Sequence, residues 1–149
     1  MQYLVSGKEM KLLDQNTSSK FHVPELVLME QAAMTFVQKL FFLQKEYHKE
    51  ISNALILCGS GNNGADGLAI ARLLMQEGLT SCVCLCGEAA GHKMTESYQT
   101  QKAICQAYQI RMEEQIPEEK FDLVIDALFG IGLSRNIEGE LAEVIRLAN

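Results

Sequence analysis

Residues 54–74 read ALILCGSGNNGADGLAIARLL, and this stretch decides the fold. Ala54–Cys58 is a short apolar run stopping at glycine, which predicts a buried strand. Leu68, Ala71, Leu74 and Met75 then recur at helical spacing, and Gly78 follows as a C-terminal stop. Between them, Gly59-Ser60-Gly61-Asn62-Asn63-Gly64 fits the pattern G-x-G-x-x-G. Glycines there permit a tight turn and let backbone N–H groups approach a phosphate, with the positive end of the helix behind them. Taken alone, the pattern fits a merely tight strand–helix turn equally well. Asn62 and Asn63 add amide donors and acceptors, or simply favour the turn. Asp66 is expected at the helix start, either capping free N–H groups or meeting a ligand.

Further along, Ser81–Cys86 predicts a strand with Cys82, Cys84 and Cys86 on one face and Val83 and Leu85 on the other. The thiols read as small buried apolar groups, because the CxxC spacing of a zinc site is missing. A helix is expected over 93–108, a short strand over 110–112 and a strand over 121–126. A loop over 127–139 and a helix from Glu140 to Leu147 follow. Upstream, Ser6 with Glu9 forms a capping box that starts a helix running to about Thr17, and 18–23 reads as a loop. Pro24 opens a long helix to about Gln44. Its apolar residues cover more than one stripe, so it is either deeply buried in the core or packed on another subunit. Alternating strands and helices with continuous apolar strands imply an α/β fold with a parallel sheet covered on both faces. Both glycine-rich segments follow strands, so they should meet at one edge of the sheet and face one crevice.

The composition is compatible with this. The chain has 149 residues, 48% of them apolar and 21% charged, with a formal net charge of −6. That suits one domain with a sizeable core and excludes a disordered tail. The acidic balance argues against nucleic acid as a partner. No apolar run reaches the ~18 residues of a membrane span, so no membrane partner is expected. The start, Met1-Gln2-Tyr3-Leu4-Val5-Ser6, turns polar at once and does not read as a signal peptide. Five cysteines, an odd count, suit a reducing compartment, which points to the cytoplasm. His22, His48 and His92 stand far apart in sequence and read as surface or loop residues.

Two further features bear chemistry. Asp126 ends an apolar strand at the ligand edge, where a carboxylate is costly unless it is paired, hydrated or bound to a cation. It serves either as an acid, base or cation ligand, or as an acceptor for N–H groups of the next loop. In that loop Gly130, Gly132 and Gly139 flank Ser134, Arg135 and Asn136, which suits a phosphate or ribose, or else a plain crossover.

GSGNNGADG at 59–67, DALFGIGLSRNIEG at 126–139 and VPELVLMEQAA at 23–33, in this order, resemble the YjeF N-terminal domain family, the NAD(P)H-hydrate epimerases. The resemblance runs from about Ser6 to the last residue. It implies a Rossmann-like three-layer α/β/α sandwich with a mostly parallel sheet. It also implies interconversion of the R and S hydrates of NADH and NADPH, so that a stereospecific dehydratase, fused or separate, can repair them. Carried across, Asn62, Asn63, Gly64, Ala65 and Asp66 would contact the hydrate. Gly130, Ile131, Gly132, Leu133, Ser134, Arg135 and Asn136 would hold the phosphates. Asn63 and Asp126 would be ligands of a potassium ion, and the acid–base residue would be either Asp126 or the aspartate of the family's downstream loop, with Asp126 then serving the metal. The expected protein partner is a second copy of the chain. The family's usual loop is GNNGGDG, and Ala65 here replaces a glycine, a penalty if that position needs positive φ. Family members continue into another strand and a DxPSG-type loop, so residues 1–149 are expected to form one family domain, incomplete at its C-terminus. Two rival readings are an inactive nucleotide-binding and dimerisation module, and an NAD(P)-dependent oxidoreductase. The second would need an acidic residue about 20 positions after the glycines; Glu88 lies near that place but in a loop.

Overall fold

The computed structural model describes residues 4–86, 93–131, 133 and 136–148. Strands β1 (Asn53–Cys58), β2 (Thr80–Cys84), β3 (Arg111–Glu113) and β4 (Leu123–Ala127) form one sheet in the order β3-β2-β1-β4. Every pairing is parallel, with Asn53 opposite Thr80, Ala54 opposite Leu123, and Cys82 opposite Arg111. The helices are α1 (Gly7–Phe21), α2 (Glu25–Glu46), α3 (Asn62–Gln76), α4 (Glu96–Ala107) and α5 (Glu140–Ala148). From β1 the chain moves through β2 to β3 on one side, whereas β4 pairs on the other side of β1. The order therefore reverses between β1 and β4, and a parallel sheet opens a ligand crevice beyond the carboxyl ends at such a point.

Both faces of β1 are buried because it is central. Ala54, Ile56 and Cys58 join Val83, Ile125 and Ala127 in a core with Met29, Ala33 and Val37 of α2, Leu68 and Leu74 of α3, and Tyr98 and Cys105 of α4. Leu55 and Leu57 join Cys82, Cys84 and Cys86 in the opposite core, with Leu128 and Val144 of α5. The expected alternation of the cysteines therefore holds, and all five are buried free thiols. A fully buried Leu or Ile side chain contributes about 1.5–3 kcal/mol, so β1 anchors both layers. At the amino edge, Asp122 clamps β1 to β4. Its Oδ2 accepts from Ser52 N (2.8 Å), Ser52 Oγ (2.7 Å) and Asn53 N (3.2 Å), while Asn53 Oδ1 accepts from Asp122 N (2.7 Å).

Three local expectations are corrected. The first helix does not stop at Thr17. The capping box forms as expected, but α1 runs to Phe21 and ends at left-handed His22 (φ 56°), whose N–H bonds Thr17 O, just before Pro24. Thus 18–21 are helical, since nothing before His22 and Pro24 breaks the backbone ladder. The second helix is not deeply buried. Only Met29, Ala33 and Val37, at helical spacing, are buried, while Val27, Met34, Phe36 and Phe42 stay exposed. The remaining apolar residues reflect composition beyond what one stripe against the core requires. By length and composition alone α2 is also long and apolar enough to cross a membrane, contrary to the sequence expectation. His22 and His48 both occupy exposed left-handed positions; His92 lies outside the described residues.

Candidate functional site

The glycine loop is shaped by close backbone approach. Gly59 N donates to Ala127 O at 3.1 Å, and a Cβ on Gly59 would stand 2.1 Å from Leu128 O. A Cβ on Gly64 would stand 1.7 Å from Gly59 O, so α3 folds back directly over the loop. Gly67 lies against the sheet, where a Cβ would meet Ala127 Cβ at 2.7 Å and Cys58 Sγ at 2.8 Å. Gly61 differs. It is the N-cap of α3 in extended backbone, no side chain caps the helix there, and a Cβ on it would meet nothing within 4 Å. The first N–H groups of α3 therefore sit behind a small residue facing open space, an arrangement suited to an anion.

The helix starts earlier than its apolar spacing implied, at Asn62, so Asn62–Asp66 form its first turns. Asn63 Nδ2 donates to Phe129 O at 3.0 Å, which ties the start of α3 to the loop after β4. Asn62 Nδ2 donates to Glu25 Oε1, which ties it to the start of α2. Thr95 N donates to Ser60 O at 3.2 Å, bringing the N-cap of α4 against the same loop. Ala65 is helical, fully buried and free of positive φ, so the alanine carries no backbone penalty and the expected doubt does not arise.

Asp66 is corrected in position. It belongs to the second turn of α3 and caps no N–H group there. It is half-buried, and burial, then the nearby carboxylates of Glu25 and Asp14, push its pKa up to about 6. Asp126 ends β4, the outermost of the described strands, and is exposed there. Its Oδ1 accepts from Leu128 N at 3.0 Å, the local role that competed with a functional one in the sequence.

The two glycine-rich segments do meet. Gly130 lies beside Asn63, with a Cβ there 3.5 Å from Asn63 Cβ, and Ile131 lies beside Gly7 at the start of α1. Gly130, Ile131, Leu133 and Asn136 are exposed. Gly132, Ser134 and Arg135, like Glu88, lie outside the described residues. No local pattern marks Thr95, Glu25 or Asp14: the bonds of Thr95 to Ser60 and of Asn62 to Glu25, and the influence of the Asp14 carboxylate on Asp66, span long separations, although Glu25 directly after Pro24 marks an acidic helix start.

Fold and site together define a Rossmann-like α/β protein whose two glycine-rich segments adjoin at the switch point of its sheet. The chain belongs to the family described as YjeF-related protein N-terminus, which it matches over residues 25–149. It is 37% identical to the NAD(P)H-hydrate epimerase of Lentilactobacillus buchneri over 100% of this chain and 67% of that protein. It is 38% identical to the NAD(P)H-hydrate epimerase of Limosilactobacillus fermentum over 97% of this chain and 67% of that one. The chain thus spans about two-thirds of the length of these relatives. The crystal structure of the yeast protein ynu0 superposes with a TM-score of 0.75 at 20% identity, covering 97% of this chain and 64% of that one, and shares the fold.

Proposed function

We propose that this chain epimerises the R and S hydrates of NADH and NADPH, as one domain of its family over 1–149. The observation that carries the reading is the junction of the two motifs. Gly59 is bonded to Ala127 and Asn63 to Phe129, so the two segments adjoin at the switch point. Relatives named for this activity match nearly the whole chain at 37% and 38% identity. The open N-terminus of α3 and the loop 130–136 suit the nucleotide's phosphates, and Asn62–Asp66 suit the hydrated ring.

The chemistry follows from the substrate. The hydrated carbon is bonded to the ring nitrogen, whose lone pair stabilises the cation left when the hydroxyl departs. Water can return on either face, which exchanges the epimers. The enzyme must supply a carboxyl that gives a proton to the departing hydroxyl and takes one back from the returning water. Asp66 in the second turn of α3 and Asp126 at the end of β4 are the candidates.

We propose further that Asn63 and Asp126 would hold a potassium ion. Asn63 uses Nδ2 on Phe129 O, so its Oδ1 remains an acceptor; Asp126 uses Oδ1 on Leu128 N, so Oδ2 remains. An amide oxygen and a carboxylate oxygen are the hard donors such a cation takes. Bound there, potassium would supply a fixed positive charge beside the substrate. We further propose a homodimer formed through the exposed Val27, Met34 and Phe42 on one face of α2, and a cytoplasmic setting in which the five thiols stay reduced. The product epimer would pass to a stereospecific dehydratase, fused or separate.

The test is a titration of ¹⁵N-labelled chain with NADPH hydrate in potassium buffer. Amide signals from 59–66 and 127–131 should move together and saturate. Saturable shifts confined to other elements would overturn the assignment of the crevice.

A further inference from the structure

We propose that Asp66, rather than Asp126, is the catalytic carboxyl that protonates the departing hydroxyl and recovers the proton from the returning water. The inference rests on the epimerase reading above. Asp66 follows Asn62 by one turn and Asn63 by three residues, so all three share one surface of α3. The Cα–Cβ bond of a helical residue tilts toward the helix N-terminus, which carries the Asp66 side chain back over the turn that holds Asn62 and Asn63. That turn is bonded on one side to Phe129 O of the second loop and on the other to Glu25. No hydrogen bond holds the Asp66 carboxyl among the described residues, so both oxygens remain available to a substrate hydroxyl. Asp126 has Oδ1 committed to Leu128 N, which leaves one oxygen free and suits holding a cation or the loop.

The charged surroundings agree. The carboxylates that act on Asp66 are Glu25 of α2 and Asp14 of α1, and Arg72 of the same helix is turned to Glu30 at 2.5 Å. Partial burial, then the carboxylates of Glu25 and Asp14, push the pKa of Asp66 up to about 6, close to the operating range of a group that must both give and take a proton. In the step itself the carbon–oxygen bond of the hydrate breaks and the Asp66 proton goes to the leaving oxygen, which departs as water. Water then adds to the opposite face of the ring and returns a proton to the Asp66 carboxylate. Atoms and charge balance, and nothing is oxidised.

The experiment compares wild type, Asp66→Asn, Asp66→Glu and Asp126→Asn in epimer re-equilibration from pH 5 to 9, with spontaneous exchange subtracted. Circular dichroism melts confirm that each variant is folded. The expected result is a wild-type kcat that falls above an apparent pKa near 6. Asp66→Asn should lose about 10²–10⁴-fold in kcat together with that limb, while Asp66→Glu retains the limb at reduced rate. Asp126→Asn should keep the limb and change chiefly KM or potassium dependence. A folded Asp66→Asn chain with a near-wild-type rate and an unchanged limb overturns the inference and leaves the epimerase reading standing. A wild-type chain that exchanges no epimers at any pH overturns that reading and takes the inference with it.

Discussion

Alanine at Gly64 should damage the fold far more than alanine at Gly61, although both belong to the same glycine pattern. A Cβ on Gly64 would stand 1.7 Å from the carbonyl oxygen of Gly59 and 2.6 Å from its carbon, both backbone atoms that cannot rotate away. Relief requires α3 to lift off the loop, and Gly59 is itself wedged against Leu128 O and bonded to Ala127 O. Overpacking of this kind costs about 3 kcal/mol or more, and the better helix propensity of alanine offsets about 1 kcal/mol. The net loss of about 2 kcal/mol or more corresponds to a fall of roughly 4–8 °C in Tm for a chain of this size. At Gly61 an added Cβ meets nothing within 4 Å and the backbone is extended, so alanine should cost at most about 1 kcal/mol, the usual penalty at an N-cap. Paired thermal and urea melts of the two variants measure the difference. Equal losses, or a Gly64→Ala chain as stable as wild type, would refute the close approach that shapes the crevice.

Other outcomes follow from the same geometry. Gly67→Ala should lose about 1–2 kcal/mol through collision with Ala127 and Cys58, and adding Ala127→Gly should recover part of it in a double-mutant cycle by urea denaturation. Asp122 has its carboxyl held below the usual range by the backbone N–H of Ser52, the Ser52 hydroxyl and the N–H of Asn53. Its contribution is present above the ordinary carboxylate pKa and is lost as pH falls through the lower folded value. Asp122→Asn should therefore lower Tm at pH 7 and narrow the gap to wild type near pH 3. Asp66 has the opposite sign. Its folded pKa, raised to about 6, makes its stability contribution complete below the ordinary carboxylate range and lost as pH rises through 6. Asp66→Asn should thus be more stable than wild type at pH 8, by about 1 kcal/mol once solvent screening is allowed for, with no such gain at pH 4; melts at the two pH values read this directly.

Local pattern carried the frame of the fold. The apolar run 54–58 is a strand because it packs on both faces, and CVCLC alternates between two cores because a pleat has period two. The box of Ser6 and Glu9 formed because both partners lie within one turn. Other features were hidden for identifiable reasons. The start of α3 is polar and glycine-rich, so its pattern does not announce a helix before Leu68, and Asp66 reads as the helix start although it belongs to the second turn. The long apolar helix α2 buries only one stripe, because composition counts apolar residues without saying which of them face the core. Both glycine segments were legible as neighbours, since strand ends of a parallel sheet share an edge. The influence of the Glu25 and Asp14 carboxylates on Asp66 was not, because it depends on how α1 and α2 dock. The exposure of Asp126 follows from β4 lying at the edge among the described strands, which its own sequence does not reveal.

The most direct measurement is chromatography of purified R- and S-hydrates of NADPH with this chain in potassium buffer, after selective depletion of one epimer. The account predicts that the depleted epimer reappears faster than it does spontaneously, in proportion to the amount of chain added. Recovery at the spontaneous rate at every chain concentration would contradict it.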